Sequence, residues 1–480
     1  MKTQYDAVIV GSGPNGLAAA ITMLKAGKTV AVIEAKETIG GGMRSKELTL
    51  PGYVHDVCSA IHPLGIASPF FAKLPLKEHG LEWIFPPVLL AHPFDDGSAS
   101  IVKRSITSTV RTIDPNDSEA YYRLMQDMSS RWYQIADDIL GPLRFPRHPF
   151  ALLSFGIGAI QSAKNFAERH FKNFRAQALF AGLAAHSMIP LERPLTAAFG
   201  IILGTLAHVT GWPLPKGGSQ AITEALRSYI SSLGGEFYTN TPVASLSELP
   251  DSKAVLLDIT PKQILQIAGD RLPEAYRKKL EAYRYGTGVF KVDFATNSPI
   301  PFKNDGCRQA GVVHIGGTFD EILESENMVW SGKNPKFPLV LLAQQSLFDT
   351  SRAPEGKHTV WAYCHTPNGS TEDRTEVIEN QIERFAPGFK ETIIAKHSMN
   401  SMDFQSYDPN YIGGDINGGV QDWRQLFTRP VISLRPYKTP VKGLYICSSS
   451  TPPGGGVHGM CGFHAAKQAL KDVFNLKAKL

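Results

Sequence analysis

The start of the chain alternates apolar runs with small-residue and polar stretches, a pattern that predicts a strand, a helix and a second strand. Residues 5–10 form a short apolar run rich in β-forming side chains, and residues 29–34 form another. Between them, residues 14–26 are mostly small or apolar, which favours a helix. The pattern therefore predicts a βαβ unit.

A long middle region, from about residue 118 to residue 214, is largely apolar and has a helical pattern. Three stretches in it carry no charged side chain, namely residues 149–163, 176–190 and 194–215. The last raises the question of a membrane span, since about 18 apolar residues can cross a bilayer. However, its strongly apolar part is only residues 195–209, and prolines and glycines interrupt the stretch. We therefore favour buried helices that line an apolar pocket over a spanning helix.

The rest of the chain returns to alternating helices and strands. Residues 215–246 predict a glycine turn, an amphipathic helix, a second glycine turn and two short strands. The remaining predicted elements are strands at 289–294, 338–343 and 358–364, a helix at 376–385, a strand at 444–447 and a helix from about Gly459. The sequence has no internal repeat and no low-complexity linker, so we expect interleaved domains.

Composition narrows the class of protein. The 480 residues are 43% apolar and 19% charged, which indicates a globular chain rather than a disordered one. The net charge is +5 without a block of like charges, so nucleic acid is not expected as a partner. The five cysteines are scattered without a C-x-x-C pair, so neither a disulfide framework nor a metal site is expected. With no apolar leader in the sequence, these features predict a cytoplasmic setting.

A glycine motif joins the first predicted strand to the first predicted helix, and a carboxylate ends the second strand. Gly11 allows the tight turn, Gly13 lets backbone N–H groups approach a pyrophosphate, and Gly16 lets helix and strand pack closely. Glu34 follows Gly16 by 18 residues and can accept two hydrogen bonds from a ribose diol. This spacing predicts a dinucleotide site formed by Gly11, Ser12, Gly13, Pro14, Asn15, Gly16, Glu34 and Ala35.

Two further glycine-rich segments bear on which dinucleotide is bound. The first follows Glu34 closely and offers a guanidinium to the same pyrophosphate; it comprises Gly40, Gly41, Gly42, Met43 and Arg44. The second lies near the other end of the chain, where a strand, a glycine loop and a helix N-terminus place donors beside a reduced flavin ring. Three separated segments suit an extended FAD, whereas one would suffice for NAD. We therefore predict FAD.

These motifs together resemble the FAD-dependent oxidoreductases related to phytoene desaturase, within the flavin amine oxidase superfamily. The resemblance rests on four features: the glycine motif of residues 11–16, the glycine pair Gly40-Gly41, the segments PKGGSQAI and GGEFYTNTPV, and the tail GLYICSSSTPPGGGVHGMCGFHAA. It implies hydride transfer to flavin N5 and places Val243 by the adenine. It places Gly459 and Met460 by the flavin, and the preceding tail residues Gly456, Val457 and His458 are also predicted to bind the cofactor. The family often has Arg directly after the glycine pair, whereas this chain has Gly42 there and Arg44 two residues later.

The resemblance also implies the fold. We expect an α/β protein in which a Rossmann-like, glutathione-reductase-type FAD-binding domain is interleaved with a substrate domain of mixed β-sheet plus a helical lid. The FAD-binding domain is predicted to comprise residues 1–70, 205–285 and 430–480. The substrate domain is predicted to comprise residues 71–204 and 286–429, with its apolar helices at about 118–204.

Two residues are candidates for catalysis. Lys291 lies on an otherwise apolar strand, where similar strands of amine oxidases present a lysine to a water near flavin N5; alternatively, Val289, Lys291 and Asp293 form an exposed face of an alternating strand. His458 adjoins the flavin motif and is an acid/base candidate, although the favoured interpretation is a structural histidine that hydrogen-bonds the loop. The same structural interpretation is favoured for the other acid/base candidates, His62 and His208, whereas Asp415 either lines the pocket or stabilises a turn.

The sequence therefore predicts an enzyme that dehydrogenates a lipophilic substrate, of isoprenoid or carotenoid type, by hydride transfer to FAD. The final electron acceptor is left open between dioxygen and a quinone. An amine oxidase is the first alternative, although Trp212, Trp361 and Tyr363 are too scattered in sequence to show an aromatic cage. A non-catalytic FAD-binding protein is the second. We also expect peripheral membrane contact through the apolar region 149–215.

Overall fold

A computed structural model describes residues 2–478 and consists of two main sheets with helices around and between them. Its strands are β1 Gln4–Val10, β2 Val30–Ile33, β3 Ser45–Glu47, β4 Val54–Asp56, β5 Trp83–Ile84, β6 Val88–Pro93, β7 Ala99–Val102, β8 Leu214–Pro215, β9 Glu236–Tyr238, β10 Asp251–Leu257, β11 Gly288–Thr296, β12 Ala310–Ile315, β13 Val340–Ala343, β14 His358–Thr366, β15 Ile393–Met399 and β16 Leu444–Ile446.

The helices are α1 Pro14–Lys25, α2 Pro63–Ala67, α3 Ile106–Val110, α4 Pro115–Ile139, α5 Pro149–Ala159, α6 Ala163–His170, α7 Phe174–Ala184, α8 Thr196–Val209, α9 Gln220–Ser232, α10 Pro261–Ala268, α11 Glu274–Glu281, α12 Asp305–Arg308, α13 Phe319–Trp330, α14 Thr375–Phe385, α15 Phe389–Thr392, α16 Ser401–Tyr407 and α17 Met460–Phe474. Short 3-10 helices span Phe71–Lys73, Ala185–Ser187, Leu246–Glu248, Gln345–Leu347, Thr350–Arg352 and Ile412–Gly414.

The first sheet is parallel and has the strand order β16-β10-β1-β2-β9. Helices α1, α9 and α17 pack on one face, and α10 and α11 pack on the other. Close approach requires two glycines: a Cβ atom on Gly16 would lie 2.2 Å from the Gly11 carbonyl oxygen, and one on Gly462 would lie 1.8 Å from the Asn15 carbonyl oxygen. The glycines thus let α1 pack directly against the β1 turn and α17.

The second sheet is mixed and has the strand order β15-β11-β14-β13-β12-β6-β7, in which only β12 and β6 pair in parallel. Strand β11 lies between β14 and β15, and all nine of its residues are buried. Helices α14 and α15 contribute to the core on one side of this sheet. Together, the parallel sheet and the mixed sheet confirm the predicted fold class.

Helices α4 to α8 form a lid with its own apolar core. Phe166 stacks on Phe180 with ring centroids 4.9 Å apart, and Phe155 and Trp212 are buried in the same cluster. Helices α7 and α8 are buried along most of their length, as predicted, whereas α5 leaves one apolar face exposed. Within residues 2–478, none of the helices is both long enough and apolar enough to cross a membrane.

The chain leaves the parallel sheet after β9, where a second short strand was predicted. Asn240 adopts a left-handed conformation with φ of 50°, and its N–H donates to the Lys36 carbonyl. The Thr241 N–H then donates to the Glu34 carbonyl, and a 3-10 helix begins at Leu246. The prediction of that strand is therefore wrong, because the backbone donors there serve a turn over the end of β2.

Strands of the parallel sheet come from three separated parts of the chain, residues 4–33, 236–257 and 444–446. The division into residues 1–70, 205–285 and 430–480 against 71–204 and 286–429 stays a prediction.

Candidate functional site

A cavity of about 710 Å³ runs from the β1–α1 turn, between the two sheets, to the underside of the lid. At one end it is lined by the glycine turns and the end of β2. At the other end it is lined by apolar side chains of α5, α8 and the mixed sheet. The cavity therefore has a polar half suited to a cofactor and an apolar half suited to a substrate.

The β1–α1 turn presents a helix N-terminus to the polar half. Gly11 has φ of 96°, and Gly13 occupies the N-cap position of α1. No side chain among residues 2–478 caps this helix end, and its first turn has no acidic residue. Such an end offers partial positive charge and backbone donors to an anion.

Glu34 is held rigidly beside this turn. Its Oε2 accepts hydrogen bonds from the Ser12 N–H at 3.1 Å and from the Ser12 hydroxyl at 2.5 Å, while its Oε1 accepts from the Lys36 N–H at 2.9 Å. The carboxylate lines the cavity. These contacts fix its orientation, and its predicted bond to a ribose stays a prediction.

Arg44 is buried in the same half of the cavity. Its Nη2 lies 3.5 Å from Glu34 Oε1, and its Cζ lies 5.3 Å from the centroid of the Tyr407 ring. Burial alone would lower the pKa of Arg44. The nearby Tyr407, Glu34 and Asp408 raise it by more, so the net shift is upward. Arg44 therefore brings a cation to the cavity wall, although it stands two residues after the usual place of the family's arginine.

Unpartnered polar atoms test whether this half of the cavity fits FAD. Among the described residues, Asn15 Oδ1, Arg44 Nε, the Tyr407 hydroxyl and Asn417 Nδ2 are buried without a hydrogen-bond partner, and all four residues line the cavity. Buried polar groups are normally paired, so these atoms indicate a polar ligand. A dinucleotide with a pyrophosphate and hydroxyl-rich linkers supplies both donors and acceptors, and the residues therefore fit FAD.

The structure brings most of the predicted cofactor residues together. Those that line the cavity are Gly11, Ser12, Gly13, Pro14, Asn15, Glu34, Ala35, Gly41, Gly42, Arg44, Val243, Gly456, Val457 and His458. Five others lie behind the wall: Gly16, Gly40, Met43, Gly459 and Met460. These five residues are placed to support the wall from behind. For example, the Gly40 N–H donates a hydrogen bond to the Ser12 carbonyl. The individual roles of all these residues in FAD binding stay predictions.

His458 is engaged by its own loop. Its Nδ1 accepts from the Met460 N–H at 3.0 Å, and burial lowers its pKa to about 4 despite hydrogen bonds to the Gly455 and Gly454 backbone. A neutral ring with these bonds favours a structural role. The candidate His62 is held in a similar way, with its Nε2 2.8 Å from the Ser219 hydroxyl.

The other two candidates lie outside the cavity wall. His208 Nε2 lies 2.9 Å from the Tyr121 hydroxyl inside the lid. Asp415 accepts hydrogen bonds from the backbone N–H groups of Gly286, Asn417 and Gly419 at 2.7 to 2.9 Å. The structure therefore resolves the alternatives for Asp415 in favour of a turn.

Lys291 is buried, with 1% of its surface exposed, and it lines the cavity. It forms an ion pair with Asp293, whose Oδ1 lies 3.5 Å from His55 Nδ1. Burial raises the pKa of Asp293, but the charges of Lys291 and His55 outweigh it and hold the pKa below its usual value. The reading of these residues as an exposed strand face is wrong, because β11 is a central strand covered on both faces.

The apolar half of the cavity contains one histidine that the sequence did not single out. His186 follows α7, and its Nε2 lies 3.3 Å from His314 Nε2. Burial, with a smaller effect of His365, lowers the pKa of His186 to about 3. A neutral imidazole thus lines an otherwise apolar wall. Its only sequence signal is its position in the uncharged run 176–190.

Trp212, Trp361 and Tyr363, scattered in sequence, all line the cavity. Trp361 and Tyr363 meet edge to face, with ring centroids 4.9 Å apart and planes at 70°. Trp212 lies farther along the wall, 6.3 Å from the His186 ring. Because Trp361 and Tyr363 are in contact with each other, they leave no gap between them for a substrate.

Asp258, also missed from the sequence, supports the glycine turn from below. It follows β10, and its Oδ2 accepts from the Gly16 N–H at 2.7 Å. Burial, aided by the charges of Asp408 and Glu34, raises its pKa to about 7. The available signal was an acidic residue at the end of an apolar strand, which is common in many contexts.

Comparison with known proteins agrees with this site. A family model described as an NAD(P)-binding Rossmann-like domain matches residues 9–74. A mouse protein named pyridine nucleotide-disulfide oxidoreductase domain-containing protein 2 is 25% identical over 99% of this chain and 95% of its own. A limonene dehydrogenase polypeptide of Castellaniella defragrans is 21% identical, covering 98% and 95%. The neurosporene-forming phytoene desaturase of Rhodobacter capsulatus is 24% identical, covering 95% and 92%.

Solved structures share the fold. An oxidoreductase from Methanosarcina mazei superposes with a TM-score of 0.64 at 15% identity, covering 95% of this chain and 98% of that one. Putrescine oxidase bound to putrescine gives a TM-score of 0.63 at 18% identity, covering 98% and 99%. The predicted family, enzyme class and cofactor are confirmed. Over nearly its whole length the chain is similar to FAD-dependent oxidoreductases related to phytoene desaturase, and it shares its fold with amine oxidases.

Proposed function

We propose that this enzyme dehydrogenates a lipophilic, isoprenoid-type substrate held in the apolar half of the cavity. The observation that carries the proposal is the composition of that wall. Leu195, Phe199, Ile202 and Leu203 of the α8 region face Val312 and Leu341 of the mixed sheet. Such a wall binds a hydrocarbon by excluding water from it.

The charges around the cavity support a neutral substrate. Lys291, on the mixed-sheet wall, is paired with Asp293, so the pair presents no free anion to the cavity. Its partner Asp293 is buried and occupied by Lys291 and His55, so it is not free to receive an amine. Trp361 and Tyr363 contact each other rather than forming two separated walls of a cage. These features favour a hydrocarbon over an amine.

The names of two relatives point to the same chemical class. Limonene and phytoene, the compounds named for the Castellaniella and Rhodobacter enzymes, are isoprenoid hydrocarbons without a charged group. The chain covers nearly the full length of both relatives. We extend the chemical class to this enzyme, without the individual compound.

FAD, when bound, supplies the hydride acceptor. The protein residues then have three tasks: to orient the substrate carbon, to exclude water and to manage protons. The lid helices α5 and α8 close over the substrate and exclude water, which lets the apolar wall fix one carbon in a reactive position. Lys291 has three ammonium donors, of which Asp293 takes one, so others remain for a proton or water at the cavity wall.

A two-class assay tests the proposal. The FAD-loaded enzyme is incubated in air with an acyclic isoprenoid hydrocarbon, with limonene and with a set of primary amines. Recovered compounds are analysed by mass spectrometry, and peroxide is measured, with a quinone added in parallel as an alternative acceptor. We expect hydrocarbons lighter by two hydrogens with dioxygen or quinone as acceptor. Peroxide and aldehyde from amines, with unchanged hydrocarbons, would establish an amine oxidase instead.

A further inference from the structure

The histidine pair at the apolar half of the cavity is a hydrogen-bonded pair of neutral rings. His186 Nε2 lies 3.3 Å from His314 Nε2, with the ring planes at 49°. Burial, aided by neighbouring histidines, lowers the pKa of both rings, so both are neutral. A neutral imidazole has one N–H and one acceptor nitrogen. One ring of the pair therefore donates to the other.

His314 is the donor of this pair. Its Nδ1 is buried without a hydrogen-bond partner among residues 2–478. The Gly182 backbone lies against this nitrogen so closely that a Cβ atom on Gly182 would be 2.8 Å from it. An N–H there would meet a C–H bond instead of an acceptor, whereas a lone pair tolerates a C–H neighbour. The proton of His314 is therefore on Nε2, and it is donated to His186.

His186 consequently presents an N–H to the cavity. Because its Nε2 accepts from His314, the single proton of the neutral His186 ring is on Nδ1. This Nδ1 has no hydrogen-bond partner in the described part of the chain, and unlike His314 Nδ1 it is not sealed inside the protein. The ring lines the cavity. A free donor therefore faces the space in which the substrate is held.

The neighbouring polar rings do not satisfy this donor. Trp212 meets the His186 ring at 90°, and its own indole N–H donates to the Leu203 carbonyl at 3.2 Å. The Nδ1 of His365 lies 2.9 Å from both carboxylate oxygens of Glu326. Polar groups enclosed in a protein are normally hydrogen-bonded, so a donor left free at a cavity wall indicates an acceptor on the ligand.

The acceptor that suits this wall is a neutral oxygen atom. An ammonium group has no lone pair to offer, and a carboxylate would bring a charge that the neutral ring cannot balance among apolar side chains. We propose that the Nδ1–H of His186 binds a carbonyl or hydroxyl oxygen on the isoprenoid substrate and so determines which isoprenoids are preferred. This inference rests on the proposed function and narrows its substrate class, since a hydrocarbon still binds but lacks this contact.

Binding without turnover tests the proposal. The flavin of the FAD-loaded enzyme is first reduced in the absence of oxygen, so that it cannot accept a hydride, and dissociation constants are measured by equilibrium dialysis. Three ligands share one carbon skeleton: a short acyclic isoprenoid hydrocarbon, and the methyl ketone and secondary alcohol in which C=O or CHOH replaces one CH₂ group. The ketone only accepts a hydrogen bond, whereas the alcohol donates or accepts one.

Two variants isolate the donor. H186L removes both ring nitrogens, whereas H186N keeps an amide N–H near the position of Nδ1, and both variants lose the contact with His314. We expect H186L to bind the ketone about tenfold more weakly or worse, because a buried carbonyl loses its donor, and to bind the hydrocarbon within about twofold of the wild type. H186N should bind the ketone within about threefold of the wild type. Both should retain the wild-type flavin spectrum.

The remaining outcomes would overturn the proposal. Equal weakening of ketone and hydrocarbon in H186L, or failure of H186N to restore ketone binding, would assign His186 a packing role. Weaker binding of the alcohol alone would show that the ring accepts rather than donates. If all three ligands bind without dependence on His186, this proposal fails while the proposed function stands. If the wild type binds none of the three, both fail.

Discussion

Replacing Lys291 with methionine tests how the buried charge cluster is held together. Met keeps most of the apolar stem but removes the ammonium that neutralises Asp293, which then retains only His55 at 3.5 Å. Removing one partner of a buried ion pair typically costs about 3 to 5 kcal/mol, because the other charge stays buried. We therefore expect K291M to fold and to be measurably less stable than the wild type.

The size of the thermal shift follows from the length of the chain. Unfolding entropy of about 2.1 cal/mol/K per residue gives roughly 1 kcal/mol/K for a chain of this length unfolding as one unit. A loss of about 3 to 5 kcal/mol then lowers Tm by about 3 to 5 °C. If the mixed sheet unfolds alone, its smaller entropy makes the shift larger.

The pH dependence of the stability difference between K291M and the wild type provides an independent test. In the wild type, the lowered pKa of Asp293 adds stability that is present above its unfolded pKa and is lost as the pH falls through the lower folded value. In K291M, burial without the ammonium raises this pKa, so the variant loses stability as the pH rises above about 4. The difference in Tm between K291M and wild type should therefore shrink from pH about 8 to pH about 5.

The matched control is the double variant K291M/D293N, which removes both charges and keeps the volume. Its Tm should recover most of the loss, and its flavin absorbance should match the wild type. Stopped-flow reoxidation by dioxygen should be slower than the wild-type rate in both variants if Lys291 serves the cavity as predicted. If the Tm of K291M equals that of the wild type at both pH values, the ion-pair argument is refuted. If the double variant is reoxidised at the wild-type rate, the role of Lys291 is refuted.

Three other substitutions give distinct outcomes. E34A should weaken FAD binding by about 1.5 to 3 kcal/mol, with E34Q affected less, in titrations followed by flavin fluorescence; equal affinities would remove Glu34 from the site. The pKa of Asp258 is raised to about 7. Its carboxyl group therefore lowers the stability of the fold progressively between pH about 4 and pH about 7, and above pH about 7 the loss reaches about 4 kcal/mol. D258N should flatten this decline in Tm against pH, and an unchanged slope would contradict it. I202K should raise KM for a hydrocarbon at least about tenfold with a normal flavin spectrum, whereas the exposed control I432K should leave KM unchanged.

The cofactor half of the fold could be predicted because its signals are local. A tight turn, a close helix and a carboxylate at the end of β2 depend on residues within about thirty positions, and the structure has all three. The tail was also predictable, because a strand, a glycine loop and a helix N-terminus occur in sequence order. In these segments, backbone requirements select glycine directly.

The substrate half was harder because its features depend on distant neighbours. Alternation along β11 suggested an exposed face, but β14 and β15 pair with both edges of the strand and the chain around His55 lies against that face. The uncharged run 149–163 favoured a buried helix, whereas one face of α5 is exposed. The pairing of His186 with His314 joins positions 128 residues apart. Such contacts are set by tertiary packing and leave no periodic signal.

Anaerobic single turnover tests the central claim most directly. The FAD-loaded enzyme is mixed without oxygen with one equivalent of an acyclic isoprenoid hydrocarbon, flavin absorbance is followed, and the hydrocarbon is recovered for mass analysis. The account predicts loss of the oxidised flavin absorbance together with a hydrocarbon lighter by two hydrogens. Flavin that stays oxidised with such hydrocarbons but is bleached by a primary amine would contradict it.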